Sequence, residues 1–134
     1  MDKVLFACIR NAGRSQIAAA FFNAAVDPRR ARAICAGVDP ASRVHPVVVD
    51  VMREVGIELG RVKPRRIEVE VLTGLKLIVT MGCGEACVDA REVRRLEWPL
   101  PDPKGQPIEK VRLIREEIRE RVWSLVAEQG WGRP

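Results

Sequence analysis

Four cysteines stand in this chain, and the first has neighbours that could make it a nucleophile. Cys8 is followed by Ile9, Arg10, Asn11, Ala12 and Gly13, and then by Arg14 and Ser15. The short apolar run Lys3 to Ala7 reads as a buried strand, and helical spacing begins at Ser15, so the segment between is a loop from a strand end into a helix start. Such a loop turns unpaired backbone N–H groups inward, and the helix dipole adds partial positive charge, so a tetrahedral oxyanion is held there. The same field favours the thiolate, the nucleophilic form of cysteine. Arg14 offers a planar fork that grips two oxygens of the anion better than lysine would. Ser15 can donate a hydrogen bond to the thiolate, and Gly13 permits a turn that a side chain would obstruct. The expected cradle is therefore Ile9, Arg10, Asn11, Ala12, Gly13 and Arg14. A Cys-x5-Arg match alone is common by chance, but one at a strand–loop–helix junction is far more specific.

Other residues carry weaker signals. Asp102 lies in Pro101-Asp102-Pro103, where the flanking prolines limit its conformations, and reads as either a proton donor or a turn residue. Cys83 and Cys87 sit in the Gly-containing run Met81 to Cys87, just after a strong strand signal. Zinc wants four ligands, and the one histidine, His45, reads as a surface residue at a helix entry. Drafting Cys8 and Cys35 into a metal site would destroy the anion loop, so no metal is expected. The cluster Arg61, Lys63, Arg65, Arg66 and a pI near 9.4 raise nucleic-acid binding, but an aromatic content of 4% supplies few stacking platforms, and none is expected. The run Arg112, Arg115, Glu116, Arg119, Glu120, Arg121 reads as a solvated helix face with i,i+4 pairs.

The elements that must position these residues follow from length and pattern. With 134 residues, 47% of them hydrophobic and 31% charged, the chain is expected to form one globular domain over 1–134. Its net charge of +5 favours anionic partners. The nearly uncharged stretch Ile17 to Val26 is too short to span a bilayer, so no membrane association is expected. No secretory signal can be drawn, and thiols rather than structural disulfides are expected of a cytoplasmic chain. Helices are predicted over Ser15 to Val26, from Pro46 to a stop at Gly56, over Pro64 to Leu72, and from Pro107 to Glu128. The last carries the apolar stripe Ile108, Val111, Ile114, Ile118, Val122, Leu125. Strands are predicted at Lys3 to Ala7, Arg32 to Ala36, Leu75 to Met81 and Arg94 to Trp98. This alternation predicts an α/β, three-layer domain with a mainly parallel four-stranded sheet flanked by helices, its ligand site in loops at the carboxyl ends of the strands.

Cys8 to Ser15 resembles the C-x5-R-S anion loop of the low-molecular-weight protein tyrosine phosphatases and of the arsenate reductases that share their fold. The runs Asn11 to Phe22, Cys35 to Pro40, Arg43 to Leu59, Ile78 to Cys87 and Trp98 to Pro103 look like the thioredoxin-coupled arsenate reductase branch. The resemblance implies the low-molecular-weight phosphatase-like fold and a reductase in which Cys8 forms a thiol–arsenate adduct, Cys83 displaces arsenite and Cys87 attacks Cys83. Asp102 matches the family's general acid. No bound cofactor is implied; thioredoxin or a small thiol removes the final Cys83–Cys87 disulfide, and phosphate competes with arsenate. The alternative is a phosphatase that hydrolyses phosphomonoesters through a phosphocysteine. Cys83 and Cys87 favour the reductase, because a phosphatase needs one thiol whereas a reductase passes two electrons out through further sulfurs. The chain departs from the family in three ways. Only three residues separate Cys83 from Cys87, Ile9-Arg10 replaces smaller or His-containing pairs, and Cys35 stands where serine is usual and reads as a buried small residue. The absence of tyrosine, with only Trp98 near Asp102, argues against a deep phosphotyrosine pocket.

Overall fold

The computed structural model describes residues 1–82 and 93–134. Its core is a sheet of four strands, β1 (Asp2–Cys8), β2 (Ala31–Gly37), β3 (Leu77–Thr80) and β4 (Arg94–Glu97), in the order β2-β1-β3-β4. Every pairing is parallel. A parallel sheet needs cover on both faces, and β1 shows why. Val4, Phe6 and Cys8 join one apolar layer, while Leu5 and Ala7 join the other. All of Val4 to Ala7 is fully buried. Helices α1 (Arg14–Ala25), α2 (Pro46–Arg53) and α4 (Ile108–Gln129) contribute to the first layer, and Val71 of α3 (Val69–Leu72) to the second. The domain is thus a three-layer α/β fold, as the alternation of patterns predicts.

Aromatic contacts tie the first layer together. Phe6 meets Phe22 edge-on at 5.7 Å between ring centres and Trp98 at 5.7 Å, and Phe22 meets Trp131 at 5.7 Å. Burying rings of this size dominates core energetics. The stripe Val111, Ile114, Ile118, Val122, Leu125 is buried as its spacing requires. Gly130, at φ 69°, closes α4 in the left-handed conformation that glycine adopts without penalty. The Trp131 indole then donates to the Asp2 carboxylate at 2.9 Å, returning the chain end to the start of β1.

One predicted element is corrected. Pro64 to Leu72 does not form a helix throughout: only Val69–Leu72 is helical. Arg66 instead pairs as an isolated parallel bridge with Gly37. The Gly37 N–H donates to the Arg65 carbonyl at 2.9 Å, and the Ile67 N–H donates to the Gly37 carbonyl at 3.0 Å. These tertiary bonds occupy the backbone groups a helix would need, so the local pattern loses to sheet extension. Arg65 and Arg66 of the basic cluster therefore lie on a short strap across the end of β2. Among the described residues, no helix is long and apolar enough to cross a membrane.

Candidate oxyanion site

The site forms where β1 ends and α1 begins. Cys8 is buried, and its Sγ lies 2.8 Å from the Ser15 Oγ. The loop between them is braced from outside through its carbonyls. The Ile9 carbonyl accepts from the Asp39 N–H, the Arg10 carbonyl from the Ala41 N–H and the Ala12 carbonyl from the His45 N–H, each at 2.9 Å. The Asn11 carbonyl accepts from the Gln16 Nε2 at 3.0 Å. No peptide bond among the described residues is cis. In a trans peptide the N–H points opposite the preceding carbonyl. Carbonyls held outward therefore turn the amides of Arg10, Asn11, Ala12 and Gly13 toward the concave side. Together with the N-terminus of α1, these donors make an anion cradle of main chain.

Two glycines let other elements reach this loop. A Cβ on Gly37 would lie 2.5 Å from the Ile9 carbonyl oxygen and 2.9 Å from the Asn11 nitrogen. A Cβ on Gly13 would lie 2.8 Å from the Pro103 Cγ. That second contact seats the Pro-Asp-Pro loop over the cradle and brings Asp102 beside Arg14, with 3.9 Å between the Asp102 Oδ2 and the Arg14 Nη2. Asp102 is half-exposed, and its Oδ1 accepts from the Lys104 N–H at 3.0 Å. Arg14 is buried, and its Nη1 donates to the Leu100 carbonyl at 2.9 Å.

Asn11 supports Ser15 by donating to its hydroxyl oxygen. The Arg65 backbone N–H, a donor without ambiguity, meets the Asn11 Oδ1 at 2.9 Å. This fixes the amide so that the Asn11 Nδ2 donates to the Ser15 Oγ at 2.8 Å. When Cys8 is a thiolate it can only accept, so the Ser15 hydroxyl is then the donor to the Cys8 Sγ. Asn11 holds φ at 51°, a left-handed conformation that asparagine tolerates better than most residues. The Gln16 Nε2 adds a second bond to the Asn11 Oδ1 at 3.1 Å.

The structure thus brings Cys8, Arg14, Ser15, Asp102 and the whole Ile9 to Gly13 loop together. Cys83 and Cys87 lie outside the described residues. Arg10 reaches the mouth but is paired with Asp39 at 2.6 Å, and Ile9 is partly exposed beside it. Cys35 packs against the core, and burial pushes its thiol up to about 11, with an Asn11 hydrogen bond opposing, so it stays protonated at neutral pH. Sequence reasoning missed two contributors. Gln16 carries no motif signal of its own. His45 does enter a helix, as expected, but its backbone N–H also braces the loop, and its Cδ2 would lie 3.6 Å from a Cβ on Gly13. Burial holds its pKa below the ordinary value, against the pull of Asp102 and with Lys104 and Arg10 adding to the depression. Among the described residues, no group of three ligating side chains could hold a metal ion.

A parallel α/β sheet with a buried thiol at a strand end, a main-chain cradle and an arginine fork defines the Cys-x5-Arg class of oxyanion-handling enzymes. The chain belongs to the low molecular weight phosphotyrosine protein phosphatase family, whose pattern matches residues 3–130. A protein of Halobacterium salinarum is 39% identical to it, over 92% of this chain and 89% of its own length. The glutaredoxin arsenate reductase of Synechocystis sp. is 34% identical, over 96% of this chain and 98% of its own. Among solved structures, the thioredoxin-dependent arsenate reductase of Corynebacterium glutamicum superposes with a TM-score of 0.79 at 33% identity, covering 96% of this chain. This chain spans 61% of that structure's length.

Proposed function

We propose that the protein is an arsenate reductase that forms a covalent adduct on Cys8 and passes oxidising equivalents through Cys83 and Cys87 to an external dithiol. The observation that carries the oxyanion half of this reading is the Cys8 Sγ at 2.8 Å from Ser15, beneath amides turned inward and beside the Arg14 fork. The reductase half is supported by the arsenate reductases among the relatives and by Cys83 and Cys87 following β3, which shares its carboxyl edge with Cys8.

In the first step, the Cys8 thiolate attacks arsenic(V); an As–S bond forms and an As–O bond breaks, with Asp102 protonating the departing oxygen as water. The cradle amides and Arg14 hold the remaining oxygens. Next, the Cys83 thiolate attacks the Cys8 sulfur; the S–S bond forms, the As–S bond breaks, and its electron pair stays on arsenic, which leaves as arsenite. Cys87 then attacks Cys83, releasing the Cys8 thiolate and leaving a Cys83–Cys87 disulfide. A thioredoxin-like protein or a small thiol supplies the two electrons that reopen it. No bound cofactor enters any step.

The family match and Asp102 beside Arg14 favour one side activity, weak hydrolysis of phosphomonoesters through a phosphocysteine on Cys8. The test is anaerobic arsenite production by wild type, Cys8→Ser, Cys83→Ser and Cys87→Ser, with thioredoxin or with small thiols, alongside para-nitrophenyl phosphate hydrolysis. The expected result is arsenite lost in the Cys8 and Cys83 variants, with ester hydrolysis needing Cys8 alone. No arsenite with any donor, beside brisk hydrolysis indifferent to Cys83 and Cys87, would leave a phosphatase.

A further inference from the structure

We infer that Gly82 is a positioning residue for Arg14, the only residue type at that point which lets the guanidinium stand where it can grip an oxyanion. The inference rests on the reading of the Cys8 loop as an oxyanion site. Gly82 follows β3 at the carboxyl edge of the sheet, one residue after Met81, whose N–H donates to the Ala7 carbonyl at 2.8 Å. Two independent features mark it. Its φ is +87°, in the left-handed region that favours glycine. The three atoms nearest to a Cβ built there all belong to the Arg14 guanidinium: Nη1 in collision, Cζ at 3.1 Å and Nη2 at 3.4 Å. The guanidinium therefore lies against the bare Cα of Gly82. Its other constraints are the Leu100 carbonyl, which takes Nη1 at 2.9 Å, and the Asp102 carboxylate beside Nη2. Among the described residues, backbone thus meets the fork on two sides and a carboxylate stands beside it on the third.

A methyl group at position 82 would press on the free end of a flexible side chain rather than on main chain. The fold yields at that point by moving Arg14, and the cost falls on anion binding. Gly74 provides the matched control, because it also has positive φ, +72°, and a Cβ there would meet nothing within 4 Å. Gly74→Ala imposes the backbone strain without the displacement.

The experiment measures how inorganic phosphate protects Cys8 from alkylation by iodoacetamide, read on the Cys8 peptide by mass spectrometry, in wild type, Gly82→Ala and Gly74→Ala. Both variants should lose a few degrees of thermal midpoint. Gly74→Ala should need the same phosphate concentration as wild type, and Gly82→Ala at least about tenfold more. Placing Gly82→Ala on Arg14→Ala should add no further loss, because the glycine acts through the arginine. Unchanged protection in Gly82→Ala, an additive loss in the double variant, or a Gly82→Ala protein that fails to fold while Gly74→Ala folds would each overturn the inference. Failure of phosphate to protect the wild type would overturn the oxyanion site itself, and the inference with it.

Discussion

Replacing Ser15 with alanine should separate the two halves of a catalytic cycle. Ser15 is fully buried, and its Oγ stands between the Asn11 Nδ2 and the Cys8 Sγ at 2.8 Å from each. Removing the oxygen leaves the Asn11 donor unpaired in the interior, a loss of about 1–3 kcal/mol in stability. Its kinetic effect depends on when Cys8 is anionic. A hydrogen bond to a charged group is worth roughly 1.5–3 kcal/mol. Ser15 gives that bond to the thiolate, so it helps most when Cys8 departs as a leaving group, in breakdown of a phosphocysteine or release from the Cys8–Cys83 disulfide. It helps least when Cys8 attacks, because a better stabilised thiolate is also a milder nucleophile. At about 1.36 kcal/mol per decade, breakdown should slow by roughly 10- to 100-fold. Stopped-flow hydrolysis of para-nitrophenyl phosphate resolves the steps: Ser15→Ala should keep a burst of nitrophenol of near-normal rate while steady turnover falls by that factor. Equal losses in both phases, or turnover within about twofold of wild type, would refute the reasoning and return Ser15 to a packing role.

Two further outcomes follow from the same structure. Gly37→Ala places its methyl against the Ile9 and Cys8 carbonyls and the Asn11 nitrogen, all main chain, so nothing flexible can move aside. It should cost about 1–3 kcal/mol in urea unfolding and abolish phosphate protection of Cys8, and a variant that binds phosphate normally would contradict the account of the loop. Glu54, tied by hydrogen bonds first to Arg112 and then to Arg115 on α4, has its carboxyl held at about 2, below the ordinary 4.5. Its contribution is therefore present above about pH 4.5 and lost as pH falls toward 2. The difference in thermal midpoint between wild type and Glu54→Gln should shrink over that window, and a constant difference would show that the ion pairs do not hold α2 to α4.

The order of strands and helices was legible because buried parallel strands and an amphipathic helix write distinct periods, and β1, β3 and α4 follow theirs. The strap across β2 was not, since Arg66 is held by Gly37 far away in sequence and no local pattern encodes that bond. The nucleophile, the arginine and the serine could be read from one short motif at a strand–helix junction. Asp102 needed the resemblance, because the contact that seats it, Pro103 on Gly13, joins residues far apart in the chain. His45 and Gln16 were not read as parts of the site for a related reason: each acts only as a donor, the His45 N–H to the Ala12 carbonyl and the Gln16 Nε2 to the Asn11 carbonyl and Oδ1, and no motif encodes such a bond.

The outward bracing of the loop carbonyls also bears on how such a chain can drift over generations. On the proposed reading, much of the anion recognition resides in amides that every residue except proline possesses, and the supports of their carbonyls are the N–H groups of Asp39, Ala41 and His45 together with the Gln16 Nε2. The side chains of Ile9 and Arg10, which reach solvent, are on that reading released from the task of holding the anion and free to reshape the entrance, whereas Ala12 is packed inside. Heritable constraint migrates instead to positions that never touch the ligand, such as Gly37, so that new substrate preferences can be tried at the mouth without rebuilding the cradle beneath it.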